Sequence, residues 1–400
     1  MITPARAAAY EVLLRVFEQD AYADRVFRTA ARDLDDRERA LAQRLAYGAV
    51  QRKRTCDYAI ETLGKRPVRK LDPPVRASLR LGAYQLGYTG TAPHAAVNEA
   101  VELVRRARLE RAVPFTNAVM RRLAAGMPKL LEGLPDGPLK ESYPDWIYET
   151  WVRELGADDA LALMRAQNEP LETVVRHVSG PIPGEPTDVP GAYRVRRVDA
   201  HALAEGQVWP QSRASQLAGL VVGAQDGERI LDLCAAPGGK TMQLRGDVTA
   251  VEVDPHRASE LRETLERYRV TNATVVEADG TALPPELTGF DRALVDAPCS
   301  GLGVLVGRPD LRWRSRPLPE LQAALLRSAA ERVRPGGTIV YSVCTINADE
   351  NEAIVDASGL EPLPLGEEWP AYAHPRRPEF LLTLPHVHRT TGFFVARLKA

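Results

Sequence analysis

Cysteine is scarce in this 400-residue chain: four occur, Cys56, Cys234, Cys299 and Cys344, with no closely spaced pair. Neither a disulfide framework nor a zinc knuckle is expected from that spacing, so no metal is implied and each cysteine is judged alone. Long apolar runs are missing as well. None approaches the roughly 18 residues a membrane span needs, and the opening MITPARAAAYEVLLRVFEQD is broken by Arg6, Glu11 and Arg15 before any signal-like core. A cytoplasmic protein without a membrane partner is expected. There is no fixed-period repeat and no low-complexity tract, and 44% hydrophobic with 26% charged residues excludes wholesale disorder. The length exceeds the roughly 250–300 residues of a single core, which predicts two or three domains.

Net charge is nearly absent too, at -1, but its distribution is uneven. Residues 1–130 hold 24 Lys and Arg against 14 Asp and Glu, and the remainder holds 28 against 39. A basic front end fits phosphate contact, because cations that displace counterions from a nucleic-acid backbone gain affinity without reading sequence. A solvated helix face rich in arginine would look the same.

From Pro4 to about Met127, segments such as RERALAQRLAYGAVQRKRTCDYAIETL and AVNEAVELVRRA place apolar residues at three- and four-residue spacing, predicting an all-α domain over 1–140. Asp35-Asp36 and Asp72 read as helix starts, and Gly64, Gly90 and Gly126 as stops. The Gly- and Pro-rich LLEGLPDGPLKESYPDW reads as a hinge, followed by a small α+β connector over 141–210 that begins with the helical WIYETWVRELGADDALALMRAQN. From Gln211 the rhythm becomes strand, helix, strand: RILDLC, VTAVEV, ATVVEAD, DRALVDA and GTIVYSV. That alternation predicts a parallel, doubly wound α/β sheet over 211–400, with HRTTGFFVARL as a last antiparallel strand.

In ILDLCAAPGGKT a buried strand runs into a tight small-residue loop, the arrangement by which backbone N–H groups approach a nucleotide-like cofactor. GGKT suggests a P-loop NTPase, but the glycine required five positions before Gly239 is Cys234. A dinucleotide-binding G-x-G-x-x-G is absent. Glu252, after the second strand, suits ribose hydroxyls, which a carboxylate accepts; an ordinary strand-end carboxylate is the plainer reading. Cys299 in DAPCSGLG and Cys344 in YSVCT each follow a strand and are expected to converge at the cofactor crevice. A thiolate beside an adenosine cofactor suits methylation at carbon 5 of a pyrimidine: addition at carbon 6 makes carbon 5 nucleophilic enough to take a methyl group. Asp296 could meet the amino and ring-nitrogen edge of cytosine, or could simply cap a turn.

LDLCAAPGGKT, VEVD, EADG, DAPCSGLG, RPDLRW and YSVCT, in that order, resemble the RsmB (Fmu/Sun) family of RNA cytosine-5 methyltransferases, and LGAYQLGY with HAAVNEAVELVRRA is similar to the NusB-type RNA-binding domain ahead of that catalytic part. The resemblance implies a Rossmann-like class I methyltransferase domain and S-adenosylmethionine as the donor. It places the cofactor loop on Cys234, Ala235, Ala236, Pro237, Gly238, Gly239 and Lys240, the ribose acid on Glu252 and an adenine-side acid on Asp279. Asp296 opens the family's D-x-P-C motif. By the same resemblance Cys344 is the nucleophile and Cys299 assists release of the product, although DNA cytosine methyltransferases use a P-C cysteine as nucleophile, which keeps Cys299 as the alternative. Departures are Ser212 where relatives often have an acid, Glu252 for Asp, and Arg312 for Lys in RPDLRW. RNA, most plausibly small-subunit rRNA, is the implied partner, with Arg52, Lys53, Arg54, Arg105, Arg106, Arg108 and Arg312 as candidate contacts. A non-catalytic RNA-binding or ribosome-assembly factor is the rival reading; it would need no paired cysteines. A methyltransferase acting on an exocyclic nitrogen would need an N-P-P-Y-like loop where DAPCS stands.

Overall fold

The computed structural model describes residues 2–400, which divide into two compact units. The first is the stretch up to Glu169 together with Leu305–Arg314, and the second is Pro170–Val304 with Ser315–Ala400. The expected three-part division at 140 and 210 is therefore drawn differently by the packing.

The first unit is helical: α1 (Pro4–Glu18), α2 (Ala23–Ala30), α3 (Asp36–Gln51), α4 (Lys53–Gly64), α5 (Pro73–Tyr88), α6 (Pro93–Arg106), α7 (Val113–Glu132), α8 (Pro138–Glu141), α9 (Asp145–Leu155) and α10 (Ala157–Ala166). Asp35 starts α3 by accepting the Glu38 amide at 2.8 Å, satisfying one of the amides a helix leaves open. Asp72 precedes Pro73 at the first turn of α5 but caps with no side-chain bond. Gly64 ends α4, whereas Gly126 is no stop: it lies inside α7, where a Cβ would sit 3.0 Å from Leu63 Cδ2. A glycine that lets two helices approach has the same signature in sequence as one that ends a helix.

The helices of WIYETWVRELGADDALALMRAQN form as expected, but they belong to the helical unit, not to a connector. Trp151 is fully buried edge-to-face on Tyr143, 5.4 Å between centroids, and burial of a side chain that large contributes on the order of 3 kcal/mol. The Arg54 guanidinium ties this region down by donating to the Tyr143 carbonyl and, at 2.7 Å, to Asp145.

RPDLRW also lies in this unit, and there Arg312 corrects the sequence reading. Its guanidinium is 0% exposed and cannot meet RNA. It donates to the carbonyls of Gln51 (3.1 Å) and Ser142 (3.2 Å), to Asn168 Oδ1 (2.9 Å) and to the Tyr143 hydroxyl (2.8 Å), and lies 3.6 Å from the Tyr143 ring centroid. Burial pulls its pKa down to about 10. Truncating a buried cation strands the acceptors it serves, so Arg312→Ala is expected to destabilise the helical unit by about 3–5 kcal/mol, read as a lower melting temperature by calorimetry. Unchanged melting would contradict that role.

The second unit holds two sheets. A four-stranded antiparallel sheet, ordered β2-β3-β1-β4, uses β1 (Val174–His177), β2 (Glu185–Pro186), β3 (Ala192–Arg194) and β4 (Val208–Pro210). The eight-stranded sheet runs β10-β12-β9-β8-β5-β6-β7, with β11 paired to β12. Its strands are β5 (Arg229–Leu233), β6 (Asp247–Glu252), β7 (Ala273–Glu277), β8 (Phe290–Asp296), β9 (Val333–Val343), β10 (Glu361–Pro362), β11 (Leu381–Thr383) and β12 (Phe393–Lys399). β5 to β9 are mutually parallel and β12 is antiparallel to β9, as the strand runs predict. From β5 the chain winds outward through β6 and β7 on one side and through β8 and β9 on the other, so the order reverses beside β5. Such a reversal opens a crevice at the strand carboxyl ends, where ligands of doubly wound sheets bind. No helix among the described residues is long and apolar enough to cross a membrane.

Candidate active site

The carboxyl ends of β5, β6, β8 and β9 bring four sequence-predicted groups to this crevice. After β5 the backbone turns sharply: Cys234 has φ 62° and Gly238 φ 101°. The loop is packed tightly from within the unit, since a Cβ on Gly238 would sit 2.8 Å from Leu261 Cδ1 and one on Gly239 would sit 2.6 Å from Trp209 Nε1. Burial first, and then Glu252, pushes the Cys234 thiol up to about 12, so it stays protonated and inert. Asp232, fully buried in β5, accepts from Thr241 Oγ1 at 2.7 Å and thereby closes the loop onto the strand; burial raises its carboxyl to about 7.

Glu252 ends β6 at 2% exposure. One oxygen takes the Asp254 amide at 3.2 Å, while Oε2 has no hydrogen-bond partner and faces only the Arg257 guanidinium at 3.4 Å. A buried acceptor without a donor fits a ligand hydroxyl, which is the fit an adenosine-bearing cofactor requires. Asp279 lies two residues beyond β7, exposed, with its carboxylate held by the amide and hydroxyl of Thr281 at 2.8 and 2.7 Å. Those bonds hold its pKa below the usual carboxylate range, and none of them links it to the other site residues.

Asp296, the last residue of β8, accepts from Ser342 Oγ on β9 and from Lys240 Nζ, both at 2.7 Å. Lys240, which the resemblance places in the cofactor loop, directs its ammonium to Asp296, 5.1 Å from the Phe393 ring centroid. Cys299 and Cys344 are partly exposed, and their sulfurs are 3.4 Å apart although the residues are 45 positions apart in sequence. The pair shares a proton unequally. The hydrogen bond from Cys299, helped by the Lys240 charge, lowers the Cys344 pKa, and the same bond together with burial raises that of Cys299. Of the two sulfurs, Cys344 is the one whose pKa is moved downward, and it lies beside the Asp296 carboxylate and the Lys240 ammonium. Cys56 is the contrast, fully buried in the helical core with its thiol pushed upward.

Sequence reasoning missed Glu350. This carboxylate is 0% exposed and accepts from the Ser300 amide (2.9 Å) and hydroxyl, the Leu318 amide (3.1 Å), Gln322 Nε2 (3.0 Å) and Asn347 Nδ2 (3.3 Å). It joins the loop carrying Cys299 to the loop carrying Cys344. The only signal was an acid six residues after Cys344 in NADENEA, a polar run that reads as solvent-exposed.

The predicted basic triplet is occupied. Arg52 pairs with Glu141 at 3.3 Å and lies over Tyr88, Lys53 pairs with Asp57 at 3.7 Å and lies over Trp313, and Arg54 is engaged as described above. These interactions all lie within the helical unit. Arg105, Arg106 and Arg108 are exposed, Arg105 with a weak pairing to Glu102 at 3.4 Å.

A family model described as 16S rRNA methyltransferase RsmB/F matches residues 220–399, and one described as NusB family matches residues 3–125. The probable ribosomal RNA small subunit methyltransferase B of Synechocystis is 32% identical over 445 residues, covering 99% of each chain. The corresponding protein of Bacillus subtilis is 30% identical with the same coverage. Among solved structures, that of PH0851 superposes with a TM-score of 0.80 at 24% identity, covering 100% of this chain and 99% of that one. NSun6 from Pyrococcus horikoshii with SFG superposes with a TM-score of 0.54 at 21% identity, covering 65% and 98%. With full-length relatives at this identity and both halves matched, the chain belongs to the ribosomal RNA small subunit methyltransferase B family, S-adenosylmethionine-dependent enzymes that here carry a NusB-family helical domain ahead of the catalytic one.

Proposed function

We propose that this enzyme methylates carbon 5 of a cytosine in small-subunit rRNA in the cytoplasm, through a transient covalent bond between Cys344 and the base. The observation that carries the reading is the 3.4 Å approach of the Cys299 and Cys344 sulfurs beyond the ends of two adjacent parallel strands; the downward direction of the Cys344 pKa supports it. S-adenosylmethionine, when bound, supplies an electrophilic methyl group; Cys234 to Lys240 and Glu252 are the residues that would hold it, with Asp279 beyond β7. The rest is the work of this chain. Cys344 adds to carbon 6, which places electron density on carbon 5. Asp296, anchored by Ser342 and Lys240, accepts from the amino group of the base, and the Lys240 ammonium beside it offsets the negative charge that addition develops. Once carbon 5 carries the methyl group, a base, water or the Cys299 sulfur, takes its proton, the electron pair of that C–H bond re-forms the carbon 5–carbon 6 double bond, the carbon–sulfur bond breaks, and Cys344 leaves as the thiolate. The target base must be unpaired or flipped out, at a cost of about a few kcal/mol.

The test is to incubate the protein with labelled donor and small-subunit rRNA and to map 5-methylcytosine. Label in RNA at one cytosine is the expected result. RNA binding with no transfer under any condition favours an assembly factor, and label on an exocyclic nitrogen would overturn the chemistry. A second expectation concerns the cofactor loop. Gly239→Ala drives a methyl group into Trp209, a local overpacking of about 1–3 kcal/mol, and is expected to weaken S-adenosylmethionine binding by at least about tenfold in calorimetry. Unaltered affinity would remove the loop from the cofactor site.

A further inference from the structure

With Arg52, Lys53, Arg54 and Arg312 absorbed into the helical unit, the RNA contact surface has to be sought again. Two short segments of that unit are unusually basic: KRPVRK at 65–70 carries four cations, and RRARLER at 105–111 carries four against one acid. They face each other across a cleft of about 440 Å³ between the end of α4 and the start of α7. Arg66 and Lys70 line it from the first segment, and Arg108 and Arg111 from the second. All four are exposed, and among the described residues none makes an ion pair or a side-chain hydrogen bond. Arg66 lies instead 5.4 Å from the ring centroid of Phe115, itself part of the cleft wall and only partly buried. Asp72 and Glu110 also line the cleft, so two positive charges remain uncompensated.

We infer that this cleft is the RNA-docking site of the helical domain, with phosphodiester groups between the 65–70 and 105–111 segments and a base or ribose against Phe115. Convergent, unpaired guanidiniums suit phosphate oxygens, which they meet with two parallel N–H bonds. An aromatic ring at the same place offers the stacking surface that unpaired RNA uses. Other free cations, Arg28, Arg32 and Arg37, are exposed on α2, just after it and on α3 but line no part of this cleft. They provide a control of equal charge. The inference rests on RNA being the substrate.

The experiment uses the full chain and a fluorescent small-subunit rRNA transcript, with affinity read by anisotropy over a salt series. The cleft variant R66Q/K70Q/R111Q is expected to bind at least about tenfold more weakly, with a salt slope shallower by about 2, because each lost phosphate contact removes about 0.7 for single-stranded RNA. It should retain S-adenosylmethionine binding in calorimetry, showing that the catalytic domain is intact. The control R28Q/R32Q/R37Q is expected to change affinity less than threefold. Equal losses in both triples, or full affinity in the cleft variant, would overturn the cleft assignment and leave the methyltransferase reading standing. Failure of the unaltered protein to bind RNA would overturn both. Ultraviolet cross-linking followed by peptide mapping gives a second readout: attachment at Phe115 is expected, and attachment confined to peptides outside 65–70 and 105–115 would contradict the site.

Discussion

Replacing Cys344 with alanine is expected to lower single-turnover methyl transfer by on the order of 10⁴-fold or more, because carbon 5 has no other route to enough nucleophilicity. The side chain is small and partly exposed, so the melting temperature should move little. Retention of more than a hundredth of the rate would contradict the assignment. The pH dependence carries the same information from the other cysteine. Because the thiolate is the reactive form, the rate rises with pH through the Cys344 pKa, and the hydrogen bond donated by Cys299 lowers that pKa. Removing the donor in Cys299→Ala should therefore move the acid limb of the adduct-formation rate to higher pH. A limb that stays in place, or moves lower, would show that the two sulfurs do not share a proton as described.

Glu350→Ala is expected to have the next largest effect. The carboxylate accepts from the amide and hydroxyl of Ser300, the Leu318 amide, Gln322 and Asn347, and truncation leaves these donors buried without an acceptor. Charge-assisted hydrogen bonds contribute about 1.5–3 kcal/mol each, and orphaned partners add to the loss, so roughly 3–5 kcal/mol of stability should go. In a unit of this size that amounts to a melting temperature about 10 °C lower. Glu350→Gln keeps the shape and part of the acceptor capacity and separates stability from alignment. Its kcat should fall, with little change in KM for S-adenosylmethionine, because it shifts the Cys299 loop relative to Cys344 while leaving Glu252 and the glycine loop untouched. A Glu350→Gln enzyme with full kcat would reduce Glu350 to a purely structural residue.

What could be read from sequence, and what could not, follows from the range of the interactions. Strands β5 to β9 were legible because each is an apolar run that ends in an acid or runs into a cysteine. Once the runs are taken as parallel, their carboxyl ends share one edge, and Cys299 meets Cys344 by topology alone. Glu252 was legible for the same reason. Gly126 was misread because close packing against Leu63 and helix termination both ask for a missing side chain. Arg312 was misread because a basic residue buried on Tyr143 has the same letter as one waiting for a phosphate. Its partners lie up to 261 positions away, beyond anything a local pattern encodes. Glu350 was hidden in the same way, a buried acceptor inside a polar run.

The central claim is that Cys344, and not Cys299, bonds to the base. It is tested most directly by trapping the protein–RNA adduct on a denaturing gel and mapping the modified peptide by mass spectrometry. Cys299→Ala protein, incubated with RNA and S-adenosylmethionine, should accumulate a band carrying RNA on the peptide that contains Cys344, and Cys344→Ala protein should form none. Adduct formation by Cys344→Ala through Cys299, or no adduct from either variant while methylation proceeds, would contradict the account.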